Sequence, residues 1–223
     1  MALILNIDTA TQTAGICLSD DGKALAMLAN DAPKEHAAWL HTAVQHLFAD
    51  TGFRMRELHA VAVTSGPGSY TGLRVGMAAA KGFCYALNIP LITESTLKMM
   101  AFATHEQLGG EDLLCPMIDA RRMEVFTAIY RPDMTELLPA TAMIIDERSF
   151  PEWLSSHRIA FFGDGSDKCK PLIKSPNARF VKVGYHTGYL GILSFSRYLQ
   201  KEFTGLAYSE PVYTKEFYTH TRK

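Results

Sequence analysis

The sequence lacks most of the features that mark membrane, secreted or disulfide-rich proteins. No apolar run approaches the roughly 18 residues that a membrane-spanning helix needs, and the N-terminal residues lack the basic stretch of a signal peptide. The four cysteines are far apart and form no CxxC pair, which favours buried free thiols in a reducing compartment. We therefore expect a cytoplasmic protein without a membrane partner.

Neither sign of charge is in excess. Lysine and arginine total 22 against 23 aspartates and glutamates, which gives a net charge of −1. A protein that holds nucleic acid by itself usually presents a basic face, so the balance argues against such a role while leaving room for a local patch. At 223 residues and 48% hydrophobic content, the chain is expected to form one or two globular domains.

The familiar catalytic and metal-binding motifs are absent. The spacings HxxxH and HExxH do not occur, and neither does GxSxG. Three histidines, His36, His41 and His46, share a predicted helix, but successive ones lie about 140° apart around its axis and cannot converge on one metal ion. We therefore predict no catalytic residue and no metal site, and a peptidase is disfavoured.

The second half of the sequence repeats the pattern of the first. The apolar run 3–8 ends at Asp8, and the run 114–119 ends at Asp119. Later in each half, a short strand runs into a Gly-x-Gly turn, at residues 66–68 and 163–165. The repeat predicts two similar α/β lobes, at residues 1–105 and 106–223, with the extreme C-terminal segment returning to the first lobe. Residues 131–158 are expected to form a loop and a short helix.

Two predicted strands end in an acid that would face a cleft between the lobes. Asp8 and Asp119 occupy the strand ends where α/β folds hold their ligands, and Gly66 and Gly68 lie in a turn whose amides could cradle an anion. The four residues are candidates for a degenerate nucleotide cleft. Each acid has the alternative of capping its own turn, and the glycines the alternative of a tight turn.

Two predicted helices carry candidate interface residues. One runs from Pro33 to about residue 50 with an apolar stripe that contains Leu40 and Val44. The other spans about 71–87 and repeats small residues at every fourth position: Gly72, Gly76 and Ala80. Because glycine inside a helix costs roughly 1 kcal/mol against alanine, these positions imply the close approach of another element. That element is either part of the same chain or a helix of a partner.

Several of these segments together resemble the TsaB family, also called YeaZ. The block VTSGPGSYTGLRVG, residues 63–76, carries most of the resemblance. Supporting matches are LNIDTA at 5–10, IDAR at 118–121 with EVF at 124–126, and EPVY at 210–213.

This resemblance implies a duplicated actin-like/sugar-kinase fold and a non-catalytic role. Members of the family support synthesis of threonylcarbamoyladenosine, the N6-modified adenosine at tRNA position 37. The implied partners are the metal-bearing transferase TsaD, which is a paralogue, and the P-loop ATPase TsaE. A homodimer is expected when the protein is alone, and contact with tRNA only through the complex.

The sequence differs from the catalytic paralogue where metal ligands would be expected. TsaD carries an HxxxH pair in the region that corresponds to residues 89–98, where this chain has no histidine. Actin-like ATPases also have a glycine in the turn after the first acid, but Asp8 is followed by Thr-Ala-Thr-Gln-Thr. We expect no cofactor and at most weak binding of magnesium–ATP. The alternative hypothesis is a nucleotide-dependent phosphotransferase or ATPase that uses both acids around magnesium.

Overall fold

The computed structural model describes residues 1–32 and 35–215. It contains ten strands, which are β1 (Leu3–Asp8), β2 (Ala14–Asp20), β3 (Lys23–Asn30), β4 (Ala60–Gly66), β5 (Leu91–Ser95), β6 (Leu113–Asp119), β7 (Glu124–Tyr130), β8 (Glu136–Ile144), β9 (Ile159–Phe162) and β10 (Ala178–Phe180). The α-helices within these residues are α1 (His36–Thr51), α2 (Tyr70–Leu87), α3 (Thr96–Leu108), α4 (Pro151–Ser156), α5 (Ser166–Cys169) and α6 (Gly188–Gln200).

The strands form two five-stranded sheets of the same topology. The first has the order β3-β2-β1-β4-β5, and the second has the equivalent order β8-β7-β6-β9-β10. In each, three strands form an antiparallel meander, and the first of them also pairs in parallel with the fourth. The predicted duplication is therefore confirmed, and the fold is a duplicated mixed α/β fold of the actin-like class.

Alternation along the strands supplies two apolar faces to each sheet. On β1, Leu3, Leu5 and Ile7 face the core beneath α1 and α2, whereas Ile4 faces α6. Such a strand, buried on both sides, has the near-continuous apolar sequence typical of central parallel strands. The polar residue in the middle of β1 is Asn6, which is satisfied by several hydrogen bonds, including one of 2.7 Å that its Oδ1 accepts from Ser194 of α6.

The last helix of each half crosses to the sheet of the other half. Helix α3 follows the first sheet in sequence, but it packs mainly against β6 of the second. Helix α6 follows the second sheet and packs against the strands of the first. The proposed division at residues 105 and 106 falls within α3, and it stays a prediction.

Residues 131–158 differ from the expected loop and short helix. They contain that helix, α4, but also β8, which is the edge strand of the second sheet. The strand was missed because Pro139 interrupts its sequence, and proline is tolerated at such an edge. The predicted helix start at Pro33 lies outside the described residues, as do residues 216–223 of the C-terminal segment.

Within the described residues, no helix is both long and apolar enough to cross a membrane.

Candidate functional site

Asp8 lies at the carboxyl end of β1 and is almost completely enclosed. Its Oδ1 accepts hydrogen bonds of 2.7 Å from the Thr64 hydroxyl and 3.1 Å from the Ala10 amide. Burial raises the pKa of this carboxyl above its ordinary value, although those two bonds and the nearby His36 oppose the rise. The position is thus one where a negative charge is costly.

Asp119, at the equivalent end of β6, is half exposed and is paired. It accepts the amide of Arg121 at 2.7 Å and forms an ion pair with Lys168 of α5. The same ammonium group donates to the backbone carbonyls of Arg122 and Glu124. Partial burial alone would raise the pKa of Asp119, but the hydrogen bond and charge of Lys168 together with the Arg121 amide hold it below its ordinary value. Lys168 therefore occupies the centre of the β6–β7 turn.

The two acids border different cavities. Asp8 lines a cavity of about 730 Å³ between the lobes, and Asp119 lines a neighbouring one of about 560 Å³ together with Gly68. The turn at Thr11 and Gln12 lines both. Gly66 lines neither, so the structure brings the four predicted cleft residues to one region without gathering them into one pocket.

The β1–β2 turn fills the glycine loop. The Ala10 carbonyl accepts the Ser69 amide at 2.6 Å, and a Cβ on Gly68 would lie 2.2 Å from the same oxygen. A Cβ on Gly72 would lie 2.0 Å from the Thr9 carbonyl. The glycines at these positions permit close backbone approach, and the turn occupies the space in which an anion would meet the loop.

The C-terminal segment covers the start of the same loop. Gly66 has a φ of +118°, and a Cβ there would lie 2.7 Å from the Val212 carbonyl. The Val212 amide donates to the Ser65 carbonyl at 2.7 Å. Beside it, Arg74 of α2 donates to the Tyr213 hydroxyl and lies 4.0 Å from the centre of the Tyr70 ring. The EPVY motif of residues 210–213 therefore packs against the loop motif.

These residues do not fit magnesium and a nucleotide. The Asp8 carboxyl is enclosed, Asp119 is neutralised by Lys168, and the Ser69 amide is bonded to the Ala10 carbonyl. Within the described residues, no group of three or more His, Cys, Asp or Glu side chains could hold a metal ion. No catalytic step is therefore assigned to magnesium or a nucleotide.

The five candidate interface residues lie inside the protomer. Leu40, Val44 and Ala80 are in the core beneath the first sheet. Gly72 and Gly76 face the β1–β2 turn, where a Cβ on Gly76 would lie 2.3 Å from the Thr9 hydroxyl. Close packing within the chain, one of the two alternatives, accounts for the glycine at each of these two positions.

A second set of small residues on α2 faces outward. We call it the open ridge, and it consists of Ala78, Gly82 and Ala86. Outside its own helix backbone, Gly82 has no atom of the described residues within 4 Å of the position of a Cβ. The ridge lies beside α1, where the rings of His41 and Phe83 pack edge to face at 5.8 Å. The sequence alone could reveal this ridge. At 100° per residue, it lies on the opposite side of α2 from the apolar stripe of Leu73, Met77 and Cys84.

Comparisons with known proteins agree with this fold. Residues 28–200 match the family described as "TsaD: tRNA N6-adenosine threonylcarbamoyltransferase". The tRNA threonylcarbamoyladenosine biosynthesis protein TsaB of Bacillus subtilis (strain 168) is 32% identical over 69% of this chain and 70% of its own length. TsaB of Escherichia coli (strain K12) is 36% identical over 58% of this chain and 55% of its own. The crystal structure called YeaZ from Pseudomonas aeruginosa has a TM-score of 0.81 and 24% identity, covering 96% of this chain and all of the other.

The duplicated sheet topology defines a two-lobed α/β protein of the actin-like class. Its glycine loop is filled by the β1–β2 turn, and of its two strand-end acids Asp8 is buried whereas Asp119 is ion-paired. Within that class, the extent and identity of the match to the Bacillus protein decide the family. The chain belongs to the TsaB (YeaZ) family.

Proposed function

We propose that this protein is a non-catalytic subunit that binds a TsaD-type transferase and supports formation of threonylcarbamoyladenosine at position 37 of tRNA. The names of its relatives place them in this biosynthesis. The binding surface is the exposed face of α1 and α2, and the observation that carries it is the open ridge.

Among the described residues, no contact requires a glycine at position 82. Glycine in a helix interior is less favourable than alanine by about 1 kcal/mol, and no described neighbour within 4 Å would contact a side chain at this position. Gly72 and Gly76, by contrast, are required by the approach of Thr9. An outward ridge without bulky side chains lets the backbone of a partner helix approach closely, as small residues do at tight helix crossings.

The partner face is continuous between the two helices. On α1, Ala37, Ala38, His41 and Gln45 are exposed, and the half-buried Phe83 joins this helix to the open ridge. The surface is largely uncharged, which suits a helix-on-helix contact rather than nucleic acid. A second copy of the chain would occupy the same face when the transferase is absent. A TsaE-type ATPase would join the complex, and tRNA would contact it only there.

The test compares two open glycines. Gly82→Leu adds a bulky side chain to the ridge, while Gly205→Leu adds the same side chain at a site that also has nothing within 4 Å. Each variant is mixed with the purified TsaD-type paralogue of the same organism, and affinity is measured by calorimetry. We expect Gly82→Leu to weaken binding at least about tenfold, because a hot-spot position loses more than about 1.4 kcal/mol. The melting temperature should not fall, because leucine has a higher helix propensity than glycine.

Gly205→Leu should bind like the unmodified protein. Full binding by a folded Gly82→Leu protein would refute the placement of the interface. Failure of the unmodified protein to bind the paralogue at all would refute the function itself.

A further inference from the structure

A cavity of about 730 Å³ lies between the β2–β3 hairpin and the connector 181–187 that precedes α6. It is separate from the α1–α2 face. Its apolar wall comes from both lobes and includes Ile16, Met27, Met100 and Val181. A space of this volume fits a small organic molecule.

One buried carboxyl points a free oxygen toward this space. Asp8 is only 3% exposed and lines the cavity. Its Oδ1 accepts both of the hydrogen bonds described above, and no described residue donates to Oδ2. Oδ2 is not among the enclosed atoms that lack a hydrogen-bond partner, so it is accessible to solvent. The accessible space next to it is this cavity, which Asp8 lines.

Two further polar side chains of the cavity wall are those of Asp164 and Tyr185. Asp164 lines the cavity and uses only Oδ1, which accepts the Asp119 amide at 2.9 Å. Tyr185 also lines the cavity, with its hydroxyl 2.7 Å from the Thr11 hydroxyl. Burial together with the charge of Asp8 raises the pKa of this phenol, which keeps it neutral.

Carboxylates also outnumber the basic side chains of the wall. Asp8, Asp164 and Asp167 line the cavity, against Lys182 and His186. The Lys182 side chain is 90% exposed, and its ammonium lies 3.9 Å from Asp167. The resulting negative electrostatic potential repels phosphates and carboxylates and attracts cations.

We propose that this cavity binds a small organic cation with an apolar body. Its ammonium or protonated ring nitrogen contacts Asp8 Oδ2, and its apolar part lies against Met27, Met100 and Val181. The cation offsets the unfavourable burial of the carboxylate, which forms no ion pair with the described residues although His36 lies near it. Methionine side chains adapt to varied apolar shapes, so the wall selects for charge and size.

The test uses three probes of similar shape and different charge: 2-phenylethylamine, 2-phenylethanol and 3-phenylpropionate. Each is titrated into the full chain at neutral pH to about 10 mM, a range that detects millimolar affinity. Methyl resonances of Ile16, Val181 and Val183 report on the cavity wall. We expect the amine to shift these resonances with an affinity at least about tenfold above that of the alcohol, the factor of a single favourable charge contact.

Two variants and a control localise the binding. Asp8→Asn keeps an oxygen for Thr64 and Ala10, so the fold is retained, and it should abolish the preference for the amine. Met27→Lys adds a positive charge at a side chain that is 45% exposed, and it should weaken amine binding without unfolding the protein. Asp50→Asn, on the exposed surface of α1, should change nothing.

The proposal is overturned if the amine leaves the methyl resonances unshifted, or if 3-phenylpropionate or magnesium–ATP shifts them more strongly. It is also overturned if folded Asp8→Asn binds the amine as well as the unmodified protein does. None of these outcomes bears on the α1–α2 interface, which is tested by binding of the paralogue.

Discussion

Thr9 and Gly72 are joined by a hydrogen bond of 2.7 Å, which runs from the threonine hydroxyl to the glycine carbonyl. Because the Gly72 carbonyl lies near the start of α2, this bond attaches the β1–β2 turn to the helix at one buried point. The Thr9 hydroxyl also lies where a side chain on Gly76 would be placed. One threonine thus explains why α2 needs small residues on its inner side.

Replacing Gly76 with alanine should destabilise the protein. The new Cβ would lie 2.3 Å from the Thr9 hydroxyl, and such overpacking costs about 1–3 kcal/mol of unfolding free energy. Urea denaturation measures the loss. The double variant with Thr9→Ala should recover part of it, so the two changes should be non-additive. Simple additivity would show that Thr9 is not the obstacle. Gly82→Ala is the matched control and should stabilise the helix.

Replacing Asp8 with asparagine should stabilise the protein at neutral pH. The folded protein raises the pKa of Asp8 above the ordinary 3.8, so the folded state favours the protonated form. The contribution of Asp8 to stability is therefore present below pH 3.8 and is lost as the pH rises through the raised value. The free energies of unfolding of the two proteins should diverge as the pH rises above 3.8, and the asparagine variant should be the more stable. Parallel curves would contradict the assignment.

Arg197→Met should leave a buried acid without its partner. Glu94 is 3% exposed and accepts the Arg197 Nε at 2.8 Å. Because the arginine itself is partly exposed, we expect a loss of about 2 kcal/mol rather than the larger value for a fully buried pair. The double variant with Glu94→Gln should be more stable than Arg197→Met alone, which denaturant unfolding would show. An equally unstable double variant would assign the loss to packing of the arginine stem.

Lys168→Met should loosen the β6–β7 turn. The lysine donates to the carbonyls of Arg122 and Glu124 at 2.9 and 2.7 Å, and the loss of such bonds costs about 1 kcal/mol each. The pKa of Asp119 should also rise toward its ordinary value, which carboxyl NMR titration measures. Lys170→Met, an exposed neighbour, should alter neither quantity. An unmoved Asp119 pKa would mean that the turn amides alone stabilise its charge.

The sequence was most informative where local signals agree with tertiary packing. The acids that end β1 and β6, and the Gly-x-Gly turns after β4 and β9, revealed the duplication because each mark sits at a turn, where residue choice is locally constrained. Strand β8 does not end in an acid or a Gly-x-Gly turn, and Pro139 interrupts its alternation of apolar and polar residues. Its assignment depends on pairing with β7, a non-local contact.

The surface proposed for partner binding could be predicted only in part. The pattern identified α1 and α2 and the importance of small residues, but it could not say which side of α2 the turn at Thr9 covers. That choice depends on a contact between residues more than sixty positions apart. The burial of Asp8 and the pairing of Asp119 with Lys168 depend on tertiary structure in the same way, so the pKa values of two acids that match in sequence shift in opposite directions.

The crossing of α3 and α6 has a consequence for the autonomy of the halves. Each sheet receives one of its covering helices from the other half of the chain. The arrangement is that of a domain-swapped dimer whose two copies have been joined end to end. A fragment containing one half alone would expose the apolar face that the missing helix covers, and two complementary fragments would fold only together.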